Sequence, residues 1–475
     1  MRGTATVATL ICFGLACSQR HEPRLGAEDS PCSTASEGIF LLDLASREIV
    51  QLAGYDNAAD DLNPIKYSFL DGGDGAFDFA FVPDLDGDLY HFQVQFDGDE
   101  IVTSDVERKL GQTDDSMLNG PAYCERQRAL AFGDVGMTAT GVELIDAEVL
   151  RELGNSTVTQ ARAAGLLTTV HARGSDVAAD LNCRNLERGV VFSGLDCRDS
   201  SSVRECLATS RNVAAIHLQA SATEPAEQLT FPDVDPVVAA SPDRPPGNPL
   251  GDADPNVVSL DDGRAHLMFE RVHATAATFD DPLLPAEFKS TGSSRLMYKR
   301  FSPDEAAPTE YALDFSRWLP AEHQLLVFPY LSATEPPDRV RFAALGVFKD
   351  PDPTMVGQQR DLFTGLLVGR FDASDLPDEP EAPIVLAADA VEGALTFAEF
   401  ACYAWDRCGT TRDGSVYLYA LYSPQFLHGP NGHEYLAFST SKSRLGTVSG
   451  GDVTFADGTS QPVAALGEAI CHPYR

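Results

Sequence analysis

"IFLLDLASREIVQLAGYDNAADDLNPIKYS", Ile39 to Ser68, decides the fold. "IFLLDL" and "EIVQL" are short apolar runs of the kind that form strands, joined by three residues. A polar, Asp-rich loop then leads into "NPIKYS". Two strands, a loop and a third strand are either a lone hairpin with a tail or one unit of a repeat. The rest of the chain favours the repeat. "FDFAF" (77–81) and "LYHFQVQF" (89–96) follow, then "GPAYCERQRALAF" (120–132) and "VELIDAEVLREL" (142–153). "DVAADLNCRNLERGVVFSG" (176–194) echoes "NAADDLNP", and "VAAIHLQASATEPAEQLTFPDVDPVVAAS" (213–241) precedes "DPNVVSLDDGRAHLMFERV" (254–272). Later runs are "SRLMYKRF", "QLLVFPYL", "FTGLLVGRF", "GSVYLYALYS" and "HEYLAFSTS".

Between these runs stand Asp, Gly and Pro. Asp-Gly occurs at Asp71-Gly72, Asp74-Gly75, Asp86-Gly87, Asp97-Gly98, Asp262-Gly263, Asp413-Gly414 and Asp457-Gly458. The dipeptide suits a two-residue hairpin, where both central residues take positive φ. Helical periodicity is nearly absent. "SDVERKLGQ" and "DAEVLRELG" could each form a turn or two of helix. The second reads better as a strand pair, because "VELID" and "EVLREL" repeat the spacing of "IFLLDL" and "EIVQL". Tight turns without crossover helices predict antiparallel sheets.

Ile39–Ser68 carries the order Phe-x-x-Asp, a Gln-Leu ending, an Asp-rich loop and Asn-Pro-x-x-x-Ser, and Ile216–Ser241 carries the Gln-Leu ending, an Asp-bearing loop and Asp-Pro shortly before a Ser. This order resembles the propeller repeats of the TolB and WD40-like group. The resemblance covers about 150 residues, broken by insertions at 243–253, 273–293 and 372–383. It implies an all-β fold: a β-propeller of six or seven four-stranded antiparallel blades over 37–475. The opening stretch would be the outer half of one blade running into the inner strand of the next. Its first strands would complete the last blade and close the ring. The chain has no room for TolB's separate α/β domain, and that protein's role is not carried over.

The amino terminus, "MRGTATVATLICFGLACSQR", has Arg2, an apolar run from Ala5 to Ala16, then Cys17. The run is too short to span a membrane, which takes about 20 apolar residues. It reads as a signal peptide over 1–16. "GLAC" resembles a bacterial lipobox, with Gly14 where that motif has Leu. It implies that Cys17 is the lipid-bearing residue and that 17–36 is a polar tether. The expected address is the bacterial cell envelope, lipid-anchored at the outer membrane, with free secretion as the alternative. Ten cysteines less Cys12 and Cys17 leave eight, an even number suited to disulfides in an oxidising compartment. Cys402 and Cys408 bracket "CYAWDRC", and Cys32 and Cys471 lie near the two ends that a closed ring would bring together.

The net charge is −36 and the pI about 4.4, with 29 Arg against 6 Lys. That field repels nucleic acid and anionic lipid headgroups, so neither is an expected partner, and the membrane contact is the anchor alone. No GxSxG, HExxH, Walker loop or GxGxxG occurs. "PDLDGDLY" sets Asp84, Asp86 and Asp88 at alternate positions, hard oxygen ligands suited to calcium or simply to a solvated turn. "GDADPNVV" with Glu270 downstream resembles five-bladed propeller glycosidases, which set carboxylates around a central funnel. That likeness implies Asp254 and Glu270 as acid and base or nucleophile, with Asp235 third. The competing reading is that Asp-Pro opens a strand of the repeat. Trp318 and Trp405 could each stack on a sugar or peptide, or pack in the core. The leading expectation is a propeller that binds an envelope protein or glycan, with an extracytoplasmic glycoside hydrolase as the alternative.

Overall fold

The computed structural model describes residues 38–54, 66–83, 88–98, 100–111, 116–136, 140–173, 176–196, 214–232, 249–273, 293–301, 309–315, 324–333, 335–348, 365–377, 379, 382–396, 399–400, 402–404, 415–455 and 458–465. The two strands read from the opening stretch are β1 (Gly38–Asp43) and β2 (Ile49–Gly54). The chain then lays down sheet after sheet, each from the axis outward. The first blade holds β3 (Lys66–Gly73), β4 (Ala76–Val82), β5 (Leu89–Asp97), β6 (Glu100–Thr103) and β7 (Glu107–Gly111). The second holds β8 (Ser116–Cys124), β9 (Ala129–Gly136) and β10 (Thr140–Asp146). Its outer strand comes only after helix α1 (Ala147–Glu152), β11 (Ser156–Thr157) and helix α2 (Val158–Ala163). Here β11 pairs in parallel with β7, and β12 (Leu167–Arg173) finishes the second blade.

The third blade is β13 (Asp176–Asn182), β14 (Val190–Asp196), β15 (Ala214–Gln219) and β16 (Glu227–Gln228). The fourth is β17 (Pro249–Ser259), β18 (Ala265–His273), β19 (Ser293–Phe301) and β20 (Glu310–Asp314). The fifth is β21 (Gln324–Leu331), β22 (Arg339–Phe348) and β23 (Gly365–Asp372). From the crossing after β23, β24 (Ile384–Val385) joins β20 of the fourth blade, and β25 (Val391–Thr396) completes the fifth. The sixth is β26 (Ser415–His428) and β27 (Glu434–Ser449), with β28 (Asp452–Phe455) and β29 (Ser460–Pro462) extending the far end of β27.

The sixth blade takes β1 and β2 from the start of the described chain as its outer strands. Ile39 pairs with Ser439 and Phe40 with Phe438. The Gly38 N–H donates to Thr440 Oγ1 at 3.2 Å across the seam. Described residues thus form six sheets, antiparallel but for the β11–β7 and β20–β24 pairs, closed into a β-propeller, and the closure pairs the outer side of β27 with β1.

Each sheet is apolar on both faces because each is sandwiched by neighbours. Phe79 and Phe81 of β4 stack on Phe92 and Tyr90 of β5 within the first blade, and Leu427 and Ala437 of the sixth share that core. Leu70, Ala80 and Val82 face Leu118, Tyr123 and Phe132 of the second blade instead. This alternation along β3 and β4 is the period-two pattern used twice.

Turn chemistry follows the sequence at Asp74-Gly75, where φ is +53° and +78° and Gly73 pairs with Ala76 in a two-residue hairpin. Asp71-Gly72 instead lies inside β3. The strand pair expected in "DAEVLRELG" is wrong: Ala147–Glu152 is α1. Asp146 Oδ1 accepts the N–H groups of Glu148 and Val149, so the last residue of β10 is also a helix N-cap. Ala147 and Leu150 bury one face at helical spacing. "SDVERKLGQ", a possible helical turn by sequence, contributes β7.

Candidate functional site

One local deformation recurs on the inner strands. The pairing register of β8, β13, β17, β21 and β26 with the next strand slips at Asn119/Ala122, Ala179/Asn182, Ala253/Asn256, Val327/Tyr330 and Tyr422/Gln425. At each slip the first inserted residue has positive φ: Gly120 +51°, Asp180 +50°, Asp254 +48°, Phe328 +53° and Ser423 +48°. The second is Pro121, Leu181, Pro255, Pro329 and Pro424. Proline has no N–H, so four of these bulges waste no ladder donor. Left-handed backbone is cheap only for glycine and costs an aromatic such as Phe328 on the order of 1–3 kcal/mol. Four non-glycine residues held this way around one axis are a concentration of strain.

These residues ring a central, open-mouthed cavity of about 100 Å³. Lys66 of β3 takes the corresponding place in the first blade, without positive φ. The ring therefore presents Lys66, Gly120, Asp180, Asp254, Phe328 and Ser423. Lys66 Nζ lies 2.9 Å from Asp180 Oδ1 and 3.8 Å from Asp254 Oδ1, and 5.3 Å from the Phe328 ring centroid. One ammonium thus crosses the channel to touch the third, fourth and fifth blades. Four residues beyond Asp180, Arg184 makes a second crossing. Its Nε donates to Glu125 Oε1 at 2.8 Å, its Nη1 to the Leu331 carbonyl at 3.0 Å, and its guanidinium lies 4.7 Å from the Tyr330 ring. Burial pushes the Tyr330 hydroxyl up to about 12, so it stays protonated at neutral pH.

Just past the bulges, side chains tie four of the six inner strands to the next. The Tyr123 N–H donates to Ser68 Oγ at 2.9 Å, Val257 N–H to Asn182 Oδ1 at 3.2 Å, and Leu331 N–H to Asn256 Oδ1 at 2.8 Å. At the seam, Gln425 Nε2 donates to the Tyr67 carbonyl at 2.9 Å and the Tyr67 hydroxyl to the Ser423 carbonyl at 2.7 Å. Between the second and third blades the tying position is Ala122, which has nothing to offer. There Cys124 and Cys183 form a disulfide instead.

Two further polar clusters lie away from the axis. Asp252, fully buried, accepts both Nε and Nη2 of Arg271 at 2.7 and 2.9 Å, and Arg271 Nη2 also reaches Glu310 Oε2 at 2.6 Å. Burial raises the Asp252 carboxyl, with Arg271 opposing the rise. In the first blade Asp78 accepts from Arg151 and Gln93 and meets His91 Nε2 at 3.1 Å. Burial alone would raise the Asp78 carboxyl, but His91 and Arg151 together hold it well below the usual range.

Of the residues picked from sequence, Asp254 is on the ring. Its Asp-Pro does not open a strand; it is the bulge in the middle of β17, which is why its side chain reaches the axis. Glu270 sits one strand outward on β18, opposite Ala253 and Leu296, buried at 4% exposure and absent from the cavity lining. Asp235 lies outside the described residues. So do Asp84 and Asp86, whereas Asp88 Oδ2 accepts from Arg108 Nη1 at 2.7 Å. Among the described residues no group of three His, Cys, Asp or Glu could hold a metal. Cys402 is disulfide-bonded, its partner lying outside the described residues, as do Cys17, Cys32, Cys408, Cys471, Trp318 and Trp405. Sequence reading missed Lys66, Asp180 and Phe328. The available signal was the repeated "NGPAY", "ADLNC", "ADPNV", "VFPYL" and "YSPQF".

No protein-family model matches the chain, and no curated protein sequence matches it. Solved structures do resemble it. An alpha-L-arabinanase from Penicillium chrysogenum is 11% identical, over 80% of this chain and 94% of that one, with a TM-score of 0.35. A protein of unknown function from Dyadobacter fermentans is 11% identical, over 80% and 95%, at 0.38. TolB from Acinetobacter baumannii is 9% identical, over 67% and 63%, at 0.28. These are likenesses of sheet arrangement.

Proposed function

We propose that this protein is a lipid-anchored propeller of the bacterial envelope that binds a protein or glycan partner through the axial ring. The observation that carries the binding reading is the ring itself. Strained backbone at Asp180, Asp254, Phe328 and Ser423 aims two carboxylates, an aromatic ring and a hydroxyl at one cavity, and a rigid scaffold supports recognition of that kind. Anchoring rests on the amino-terminal sequence alone. Palmitate labelling of the full chain tests it: label is expected on the wild type and lost in Cys17→Ala, and equal labelling of both rejects the anchor. For binding, capture from envelope extract is compared between wild type and an Asp180→Asn, Asp254→Asn double variant. A partner or glycan retained by the first and lost by the second supports the reading; identical capture rejects the ring as the site.

Glycoside hydrolysis is favoured by one observation, that Asp180 and Asp254 both approach the axis. Against it, Lys66 Nζ stands between them, and Glu270 lies off the cavity. A glycosidase needs one carboxyl to donate a proton while the other stays charged, both flanking the scissile bond. Turnover of aryl glycosides abolished by Asp254→Asn would establish catalysis, and no turnover across the panel would dismiss it.

A further inference from the structure

The chain enters the propeller level with the ring of bulges. Gly38 pairs with Thr440 and Ile39 with Ser439, and Ser439 is also the partner of Tyr422, the residue before the bulge at Ser423. From there β1 runs away from the ring, ending at Asp43 opposite Tyr435, beside the turn between β26 and β27. Pairing with β27 fixes that direction, so whatever precedes Gly38 leaves on the ring side. The turns that follow β3, β8, β13, β17, β21 and β26 all lie at the other end. At that end Arg184 spans the axis from the third blade, bonded to Glu125 of the second and to the Leu331 carbonyl of the fifth. The axis is obstructed there.

A second feature shares the ring side. β27 continues past Thr440 to Ser449, and β28 and β29 pair onto that extension. At ~3.3 Å per residue the extension is roughly 30 Å of strand. We propose that the ring face is turned toward the membrane that holds Cys17, and that the partner it receives is one held at the same membrane. This rests on the readings of Cys17 as the lipid-bearing residue and of the ring as a binding site, and adds an orientation to them. Cys17 to Ser36 is a stretch of 20 residues. A coil of that length averages about 25 Å end to end, and full extension gives ~70 Å. Presenting the opposite face would lead the chain round the rim and past a blade about 20 Å high along β1, well beyond that average. The lipid surface is not itself the ligand, because a net charge of −36 is repelled by anionic headgroups.

The test is energy transfer from a protein fluorophore to a rhodamine-headgroup lipid, with the lipidated full chain reconstituted in phosphatidylcholine vesicles. The fluorophore is placed on Ser449→Cys, exposed on the ring side, or on Asp261→Cys, exposed in the β17–β18 turn at the opposite end. Transfer is expected to be about twofold or more stronger from position 449. Deleting residues 22–31 should widen the ratio, and inserting about 20 Gly and Ser residues into the tether should bring it toward one. A second pair, Asp452→Cys and Glu187→Cys, must give the same order, which separates orientation from damage at one label site. Equal or reversed transfer in lipid-bearing protein would overturn the orientation and leave the anchor and the ring's binding role standing. Absence of lipid on Cys17 would overturn the anchor and the orientation together. Binding of Cys17→Ala protein to phosphatidylglycerol vesicles would make lipid the ligand and overturn the choice of partner, as would a ring-dependent partner that proves soluble.

Discussion

Replacing both Cys124 and Cys183 by alanine removes the only covalent tie described between adjacent inner strands. The loop it closes spans a sequence separation of 59 residues. Chain entropy for a loop of that length corresponds to about 4 kcal/mol at 25 °C, which the unfolded state regains when the bond is cut. At the position that carries Ser68, Asn182, Asn256 or Gln425 elsewhere, this interface has Ala122, so beside the disulfide the polar ties here are the Arg184–Glu125 pair and the Gln127 bond to the Gly189 carbonyl. A third substitution, Ala122→Asn, would then restore a side-chain acceptor facing the third blade. It is expected to recover about 1 kcal/mol, the usual net value of one buried hydrogen bond, in space vacated by the two sulfurs. Urea unfolding followed by circular dichroism measures both steps as shifts in midpoint at constant slope. A double-alanine protein within about 1 kcal/mol of wild type would contradict the loop-entropy estimate. A triple variant no more stable than the double would refute the idea that disulfide and amide are interchangeable ties.

Two further outcomes follow from buried groups. His266 donates from Nε2 to the Pro337 carbonyl at 2.9 Å and accepts at Nδ1 from the Tyr298 hydroxyl at 2.7 Å. Burial lowers its pKa to about 4. The unfolded chain therefore takes up a proton first, and stability present above pH 6.5 falls as pH drops toward 4, by at most about 3 kcal/mol. Denaturation at several pH values should show that slope in wild type and lose it in His266→Gln; the same slope in both would clear His266. Arg271→Met leaves Asp252 buried beside Glu310 with its charge partner gone, and is expected to cost about 3–5 kcal/mol. The Asp252→Asn, Arg271→Met pair should lose less than the single change, and a larger loss would show that the ion pair is not what holds this interface.

The sequence alone determined the strands, their antiparallel pairing and the repeat, because period-two patterning and Asp-Gly turns are local properties that no distant contact has to supply. Asp74-Gly75 forms its hairpin as written. Local signals also misled where two elements share a residue: Asp146 ends β10 and caps α1, and strand spacing outweighed the cap in "DAEVLREL". The ring of Lys66, Asp180, Asp254 and Phe328 was decided only by tertiary structure. Its members come from four blades, 66 to 328 in sequence, and meet because five inner strands bulge at the same height. A carboxylate beside a proline signals a bulge only once the strand around it is known to face an axis. Closure was expected from the resemblance to propeller repeats, but its register was not legible. Ile39 and Ser439 pair across almost the whole chain, and no window of sequence contains both.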